Sequence, residues 1–264
     1  MYEWILAAVV VFFASILQAA TGFGFAIMAT PFLLLVFDSR ESVQISIILS
    51  FVLSLLLIRK VKKDVDKGLL RRLILGSVVG VPLGVLFYKS VSFENLKVTM
   101  SIVILIVTFI QIIKSFKTNS KLRIEHSNVK TLLCKDTTAV DGANYLKKTQ
   151  FFIGFCAGLL TTSIGIPGIP LILYYTATKT KKETARSTAI AFFLFVCIIS
   201  MAAQLLTVRT NLDIVASSLI LVPIAAVGIF LGNILFDKIN QITFQRIIYG
   251  VLLCTGFYMS IKTF

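Results

Sequence analysis

Long runs of apolar residues without any charge dominate the pattern of this chain and predict helices that cross a membrane. An α-helix rises ~1.5 Å per residue, so a bilayer core of ~30 Å needs about 20 residues, or somewhat fewer where end side chains reach out to water. Six runs have the length of one such helix. They are Ser42–Ile58, Leu73–Tyr88, Val98–Ile113, Ser187–Val208, Ile214–Phe236 and Ile247–Ile261.

Two further runs, Trp4–Phe37 and Thr149–Thr178, are too long for one helix and too short for two full spans with a turn. Each therefore predicts a hairpin that is broken near its middle, at Thr21–Phe25 and at Thr161–Gly168. Glycine and proline open the backbone there, which a bilayer tolerates only where protein or water satisfies the freed groups. The prolines expected to mark the helix breaks are Pro31, Pro167 and Pro170.

The chain contains an internal repeat, because Phe12–Pro31 resembles Phe151–Pro170. The positions matched in that alignment are Thr21 with Thr162 and Gly24 with Gly165. Later in each half, a G-x-x-x-G pair favours close helix packing. These pairs are Gly80/Gly84 and Gly228/Gly232. We therefore divide the chain into a first transmembrane repeat at 1–114, a basic linker at 115–148 and a second repeat at 149–264, each repeat comprising a broken hairpin and three spans.

The distribution of basic residues predicts the orientation of the two halves. A hairpin that returns to its starting side, followed by three crossings, makes the second half enter from the opposite face. That inverted arrangement places 21 of the 26 Lys and Arg residues inside, whereas parallel halves would place about 17 there, and basic residues concentrate on the cytoplasmic side. The linker is therefore expected to be cytoplasmic, and the repeats inverted.

Composition supports an all-α, multi-pass protein of the cell membrane. Apolar residues make up 57% of the chain and charged residues 14%, against about 25% charged residues in soluble domains. The net charge of +14 lies in loops, so it indicates topology and not nucleic-acid binding. The four cysteines show no C-x-x-C spacing, and the spans contain no Asp, Glu or His. We expect no metal, no cofactor and no enzymatic activity.

The glycine-rich segment of the second hairpin resembles a known family of transporters. The run Gly154–Pro170, with glycines at 154, 158, 165 and 168, and the small-residue stretch Ala185–Ala189 are similar to motifs of the TauE/SafE sulfite-exporter family. This resemblance implies a secondary transporter of small sulfur-containing or organic anions, such as sulfite, sulfonates and sulfoacetate. It also implies coupling to an ion gradient; the residues leave H⁺ or Na⁺ as the candidate coupling ion, with facilitated diffusion as the alternative.

Two broken hairpins that enter from opposite faces would bring their tips together near the midplane, where transporters place substrate sites. The helices that begin at about Phe25 and Ile169 would direct unbonded N–H groups at an anion. The expected substrate-binding residues are Gln18, Thr21, Gly22, Gly24, Thr161, Thr162, Ser163, Gly165, Gly168, Ser187 and Thr188, with the hydroxyls as donors. The candidate cavity-lining residues are Gln44, Gln204, Asn233 and Arg186, although Arg186 also suits an ordinary anchor on the inner side.

Alternating access is the leading mechanism. An anion channel would use the same polar tips but would need a continuous pore, and a membrane scaffold would transport nothing. The expected partners are a small anion, the lipid bilayer and a coupling ion, and a homodimer is compatible with this architecture. The sequence does not distinguish the exact substrate, the direction of transport or the coupling ion.

Overall fold

The computed structural model describes residues 2–103, 106, 139–178, 180–207, 212–238 and 250, and these segments are helical apart from short connections. The helices are α1 (Tyr2–Thr21), α2 (Gly24–Phe37), α3 (Glu41–Val61), α4 (Lys67–Ser90), α5 (93–103), α6 (Ala139–Ile164), α7 (Gly168–Thr178), α8 (Lys182–Thr207) and α9 (Leu212–Lys238), with a 3₁₀ turn at Lys62–Asp64. No strand occurs in the ranges just given.

Five of these helices are long and apolar enough to cross a membrane, namely α1, α3, α4, α8 and α9. This confirms an all-α, multi-pass membrane protein and four of the six predicted single spans. The predicted span Ile247–Ile261 apart from residue 250, most of Val98–Ile113 and linker residues 115–138 lie outside the described residues. Helix α6 already begins at Ala139, so the end of the predicted linker is continuous with the second hairpin.

Both predicted hairpins break where the glycines lie. Helix α1 ends at Thr21 and α2 begins at Gly24, whereas α6 ends at Ile164 and α7 begins at Gly168. Each break contains a glycine in the left-handed region, with φ +88° at Gly22 and +74° at Gly165. The N–H of each donates to the carbonyl oxygen four residues earlier, at 2.7 and 3.0 Å. Both helices therefore end in the same glycine cap.

The expectation that all three prolines break helices is wrong for two of them. Pro31 lies inside α2, which continues to Phe37, and Pro170 lies in the first turn of α7. The N–H groups in the first turn of a helix have no partner within the helix. Proline, which lacks an N–H, therefore fits there without losing a hydrogen bond. Neighbouring helices and backbone adjustments let membrane helices tolerate an interior proline such as Pro31. Only Pro167 lies in the non-helical connection.

The G-x-x-x-G pairs pack across the two halves of the chain. A methyl group built on Gly80 would meet the backbone of Phe155 in α6, and one on Gly228 would meet the carbonyl oxygen of Phe12 in α1, at 2.7 Å. Gly84 and Gly232 approach α6 and α1 in the same way one turn later. The predicted packing of these glycines is thus confirmed, and each half supplies the helix that covers the other half's hairpin.

These contacts correct the register of the internal repeat. Gly80 and Gly228 contact Phe155 and Phe12, so those two phenylalanines correspond to each other. Counting on from them pairs Gly22 with Gly165, the two glycines with positive φ. The predicted pairing of Gly24 with Gly165 is therefore wrong by two positions. Matching the Phe-Phe dipeptides by identity caused the error, because packing conserves position and not residue type.

The contacts also give the directions of the helices. The Trp4 ring packs on Phe37, at 5.2 Å between centroids, so α1 and α2 are antiparallel. The Ser42 hydroxyl donates to the Leu33 carbonyl and the Tyr88 hydroxyl to the Arg40 carbonyl, which makes α3 antiparallel to α2 and α4 antiparallel to α3. Contacts between α4 and α6 advance along both helices together. Helix α6 therefore runs opposite to α1, which supports the predicted inverted repeat.

Candidate functional site

The breaks of the two hairpins lie against each other. A methyl group on Gly168 would lie 3.0 Å from the carbonyl oxygen of Phe23, and the Phe23 ring stacks on Tyr175 with centroids 6.4 Å apart. The Thr30 hydroxyl in α2 donates to the Gly165 carbonyl at 3.3 Å. At Gly168 a side chain would be crowded by the opposing backbone of the first break.

A buried arginine lies directly against the first break. A methyl group on Gly22 would be 2.8 Å from the Cα and 2.9 Å from the carbonyl oxygen of Arg186. Arg186 is only 7% exposed, and its guanidinium donates to the side-chain oxygen of Asn233 at 2.6 Å. Arg186 thus differs from an exposed anchor of the inner side, whose side chain would extend toward water.

Of the two equivalent positions that contact a hairpin break, only the one in the second half carries a charge. At the second break, a methyl group on Gly165 would lie 3.3 Å from the side chain of Val43. In the corrected register Val43 corresponds to Arg186, and each contacts the left-handed glycine of the other half's hairpin. The two breaks are alike in backbone, but only the first one borders a cation.

Arg186 borders a polar cavity of about 210 Å³ at the end of α3. A water molecule occupies ~30 Å³ in the liquid, so this volume holds several waters or one small oxyanion with part of its hydration shell. The cavity is lined by Lys60, Val61, Asp64, Glu183, Arg186, Ser187 and Asn233. The structure therefore places Arg186, Ser187 and Asn233 of the predicted residues at a cavity wall.

The hydroxyls of the breaks do not have their protons available for a ligand. Each donates to a carbonyl of its own helix, in the pattern usual for Ser and Thr in helices. The bonds run from Thr21 to Leu17 at 2.7 Å, Thr161 to Ala157 at 2.6 Å, Thr162 to Gly158 at 3.0 Å and Ser163 to Leu159 at 2.7 Å. The prediction that these hydroxyls donate to an anion is not met in this conformation, because they present lone pairs to their surroundings.

The three buried glutamines predicted to lie at the site have different environments. The Gln18 side-chain oxygen accepts the N–H of Phe25 at 3.1 Å, which satisfies one unbonded amide at the start of α2. Its side-chain nitrogen and the side-chain oxygen of Gln44 are buried without a partner among the described residues. Gln204 instead donates to the Thr162 carbonyl at 3.1 Å. Gln18 thus keeps a free donor at the first break, whereas the Gln204 bond joins two helices.

Thr188 has a structural contact and does not line the cavity. Its hydroxyl accepts the N–H of Asp66 at 3.1 Å and so ties α8 to the connection before α4. The neighbouring Ser187 lines the cavity although its proton goes to the Glu183 carbonyl at 2.7 Å. The small-residue stretch therefore mixes a helix-positioning residue with cavity-lining ones.

Sequence reasoning missed three charged residues of the cavity, Lys60, Asp64 and Glu183, because charges at span ends were counted only for topology. The spacing held a usable signal. Glu183, Arg186 and Ser187 stand at positions i, i+3 and i+4, which lie on one face of a helix. Arg186 is also surrounded in sequence by small residues typical of a buried helix face.

A comparison with protein families agrees with the architecture. The family model described as "Sulfite exporter TauE/SafE" matches residues 7–259, nearly the whole chain. No curated protein and no solved structure matches the chain.

Proposed function

Since the chain belongs to the TauE/SafE sulfite exporter family, we propose that it is a secondary transporter that moves small sulfur-containing or organic anions across the cell membrane by alternating access. Members of this family are transporters and not enzymes. The main support for this proposal is that Arg186 is buried between the break of the first hairpin and the polar cavity.

The chemistry of Arg186 suits an oxyanion. A guanidinium presents five N–H donors in a planar fork that matches the paired oxygens of sulfite, sulfonate or carboxylate groups. One donor binds Asn233, which orients the fork beside the cavity. Lys60 adds a second cation at the wall. These groups recognise charge and shape, which suits small anions such as sulfite and sulfoacetate.

The carboxylates of Asp64 and Glu183 set the strength of binding. Together with Lys60 and Arg186, they bring the formal charge of the cavity lining to zero. An anion is then attracted by the nearest guanidinium and repelled by the carboxylates, so binding stays weak enough for release. A carrier needs such a balance, because an anion held too firmly would not leave on the other side.

The cavity lies at the end of the bundle that carries Lys60, Lys62, Lys63 and Lys67, which the charge distribution assigns to the cytoplasm. The conformation is thus proposed to face inward, with the linker on the same side. The antiparallel course of α1 and α6 supports inverted halves, the arrangement that lets a transporter exchange its two openings around a central site.

The test is flux of sulfite and sulfoacetate into liposomes that contain the purified protein. We expect saturable flux in the native chain, at least a tenfold loss of anion affinity in Arg186→Gln, and native behaviour in Arg59→Gln. Arg59 is a suitable control because it is exposed at the same end of α3 and does not line the cavity.

Other results would favour the alternatives. Flux that rises linearly with concentration would indicate a channel, and folded protein without flux of any tested anion would indicate a scaffold. Equal effects of the two arginine substitutions would contradict the proposed site. Repeating the flux with an imposed H⁺ or Na⁺ gradient identifies the coupling ion, and the sign of net flux gives the direction.

A further inference from the structure

Four serines follow one face of α3. Ser42, Ser46, Ser50 and Ser54 stand at every fourth position, and none is more than 2% exposed. Consecutive serines are separated by roughly one helical turn of 5.4 Å, so their hydroxyls form a polar row along most of the helix. We call this set the serine row.

Two members of the serine row differ from other serines of this protein. Ser15, Ser187 and Ser218 donate to the carbonyl four residues earlier, at 2.6, 2.7 and 2.7 Å, which is the usual way to satisfy a hydroxyl inside a helix. The hydroxyls of Ser50 and Ser54 are equally buried and have no hydrogen-bond partner among the residues that the structure describes. Burying an unpaired hydroxyl is unfavourable, so these positions need an explanation beyond helix packing.

The two ends of the serine row reach the two features already described. Val61 lines the Arg186 cavity and lies seven residues beyond Ser54, on the same face of α3. At the other end, Ser46 shares a 2.5 Å hydrogen bond with Thr30, which donates to the carbonyl of Gly165 in the second break. The serine row therefore lies between the cavity beside the first hairpin break and the second hairpin break.

The row also lies where two hydrophobic clusters meet. Val43 and Ile47 of α3 belong to a cluster with residues of α6, α7 and α8. Leu49 and Leu53 belong to a second cluster with residues of α1 and α9. A boundary between two packed units is a place where a small relative movement opens space, since well-packed interiors themselves deform little.

A third unpaired hydroxyl supports this location. Ser200 in α8 is fully buried, and its hydroxyl has no partner within the described ranges. Helix α8 packs along α3. Unpaired hydroxyls are thus found on both of the helices that meet at this boundary.

We propose that the serine row is the path along which the anion crosses the protein, from the Arg186 cavity to the turn at Gly165. The unpaired hydroxyls of Ser50 and Ser54 donate to the anion in place of the water that it loses. This proposal rests on the proposed function and adds the residues that carry the anion after it leaves the arginine. It also gives a role to two buried hydroxyls that have no partner among the described residues.

The first test compares two double substitutions in liposomes. The double variant Ser50→Ala/Ser54→Ala is expected to lower the maximal flux of sulfite at least tenfold. Its dissociation constant for sulfite, measured by calorimetry in detergent, is expected to equal that of the native chain. The control is Ser15→Ala with Ser218→Ala, which removes two hydroxyls bonded to their own helix and is expected to retain flux within twofold. Equal flux in the two variants would overturn the path, because serines that serve only in packing tolerate alanine.

A second test uses chemical access and does not depend on the rate of transport. In a transport-competent chain whose native cysteines are replaced by alanine, Ser50→Cys and Ser54→Cys are treated with 2-sulfonatoethyl methanethiosulfonate, itself a small sulfonate. Both are expected to react, and excess sulfoacetate is expected to slow the reaction at least threefold. The control Ala14→Cys lies in α1, fully buried in the second hydrophobic cluster, and should stay unmodified. Absence of reaction at both serine positions would overturn the path.

The outcomes separate the two proposals. If the native chain neither binds nor transports any tested anion, the proposed function fails and the path fails with it. If the native chain transports sulfite and the serine variants behave like their controls, only the path is overturned.

Discussion

The backbone contact between Gly22 and Arg186 allows a paired test of the first hairpin break. Gly22→Ala and Gly165→Ala both place an alanine in the left-handed region, which destabilises the folded state by roughly 1–2 kcal/mol in each case. The surroundings then distinguish them. The new methyl group at position 22 would lie 2.8 Å from the Cα of Arg186, whereas at position 165 its nearest neighbour is the Thr30 methyl group at 3.1 Å.

A side-chain methyl group moves aside more readily than a helix backbone. We therefore expect Gly22→Ala to lose about 1–3 kcal/mol more stability than Gly165→Ala, the range typical of overpacking. Because the displaced backbone carries Arg186, Gly22→Ala should also weaken anion binding, and a loss of about 1.4 kcal/mol corresponds to tenfold. The new methyl group of Gly165→Ala would border Val43 and not Arg186, so this variant should bind the anion with native affinity.

Thermal unfolding in detergent and sulfite titration of both variants give the two quantities. Equal losses of stability together with equal affinities would refute the reasoning, because they would mean that the contact with Arg186 does not restrict the break. A loss of stability in Gly22→Ala with native affinity would show that α8 moves without displacing the guanidinium.

Three further comparisons test helix packing, a helix cap and an exposed ion pair. Gly84→Ala should lower the free energy of unfolding by about 1–3 kcal/mol because its methyl group collides with α6, whereas Gly68→Ala, which has space, should be neutral or stabilising by up to about 1 kcal/mol; equal effects in thermal unfolding would contradict this. Asp66→Ala should destabilise by about 1 kcal/mol, because the Asp66 carboxylate caps α4 through a 3.0 Å bond, and Asp66→Asn should restore most of that loss. Lys97→Gln should change stability by less than about 1 kcal/mol, since its partner Asp38 is 74% exposed, and a loss above about 2 kcal/mol at moderate salt would show that this ion pair matters more than its exposure implies.

The spans and breaks could be predicted because they depend on local sequence. A charge-free run of sufficient length has few alternatives to a membrane helix, and a glycine near the middle of an over-long run, such as Gly22 or Gly165, can adopt the left-handed conformation that ends a helix. Residue types and their positions along the chain were sufficient to locate the spans and the breaks. The same reasoning failed at Pro31, because membrane surroundings allow a proline that would end many helices in water.

The register and the cavity could not be predicted in this way because they arise between segments that are distant in sequence. Which carbonyl Gly80 approaches depends on the packing of α4 against α6. Whether Arg186 is buried depends on the close approach of Gly22. The partners of Thr162 and Gln204 became known only with the helices in place. Counting charges predicts which side of the membrane a residue faces but not how deeply it lies.

The crossed packing of the two halves has a consequence for biosynthesis. Helix α1 leaves the ribosome first, but its packing partner α9 is made about 200 residues later, which at ~5–20 residues per second amounts to roughly 10–40 s. During that interval the glycine-contacting surface of α1 faces lipid or a chaperone. The first hairpin therefore acquires its final contacts only near the end of translation, so a chain truncated before α9 should be recognised and degraded as an incomplete product.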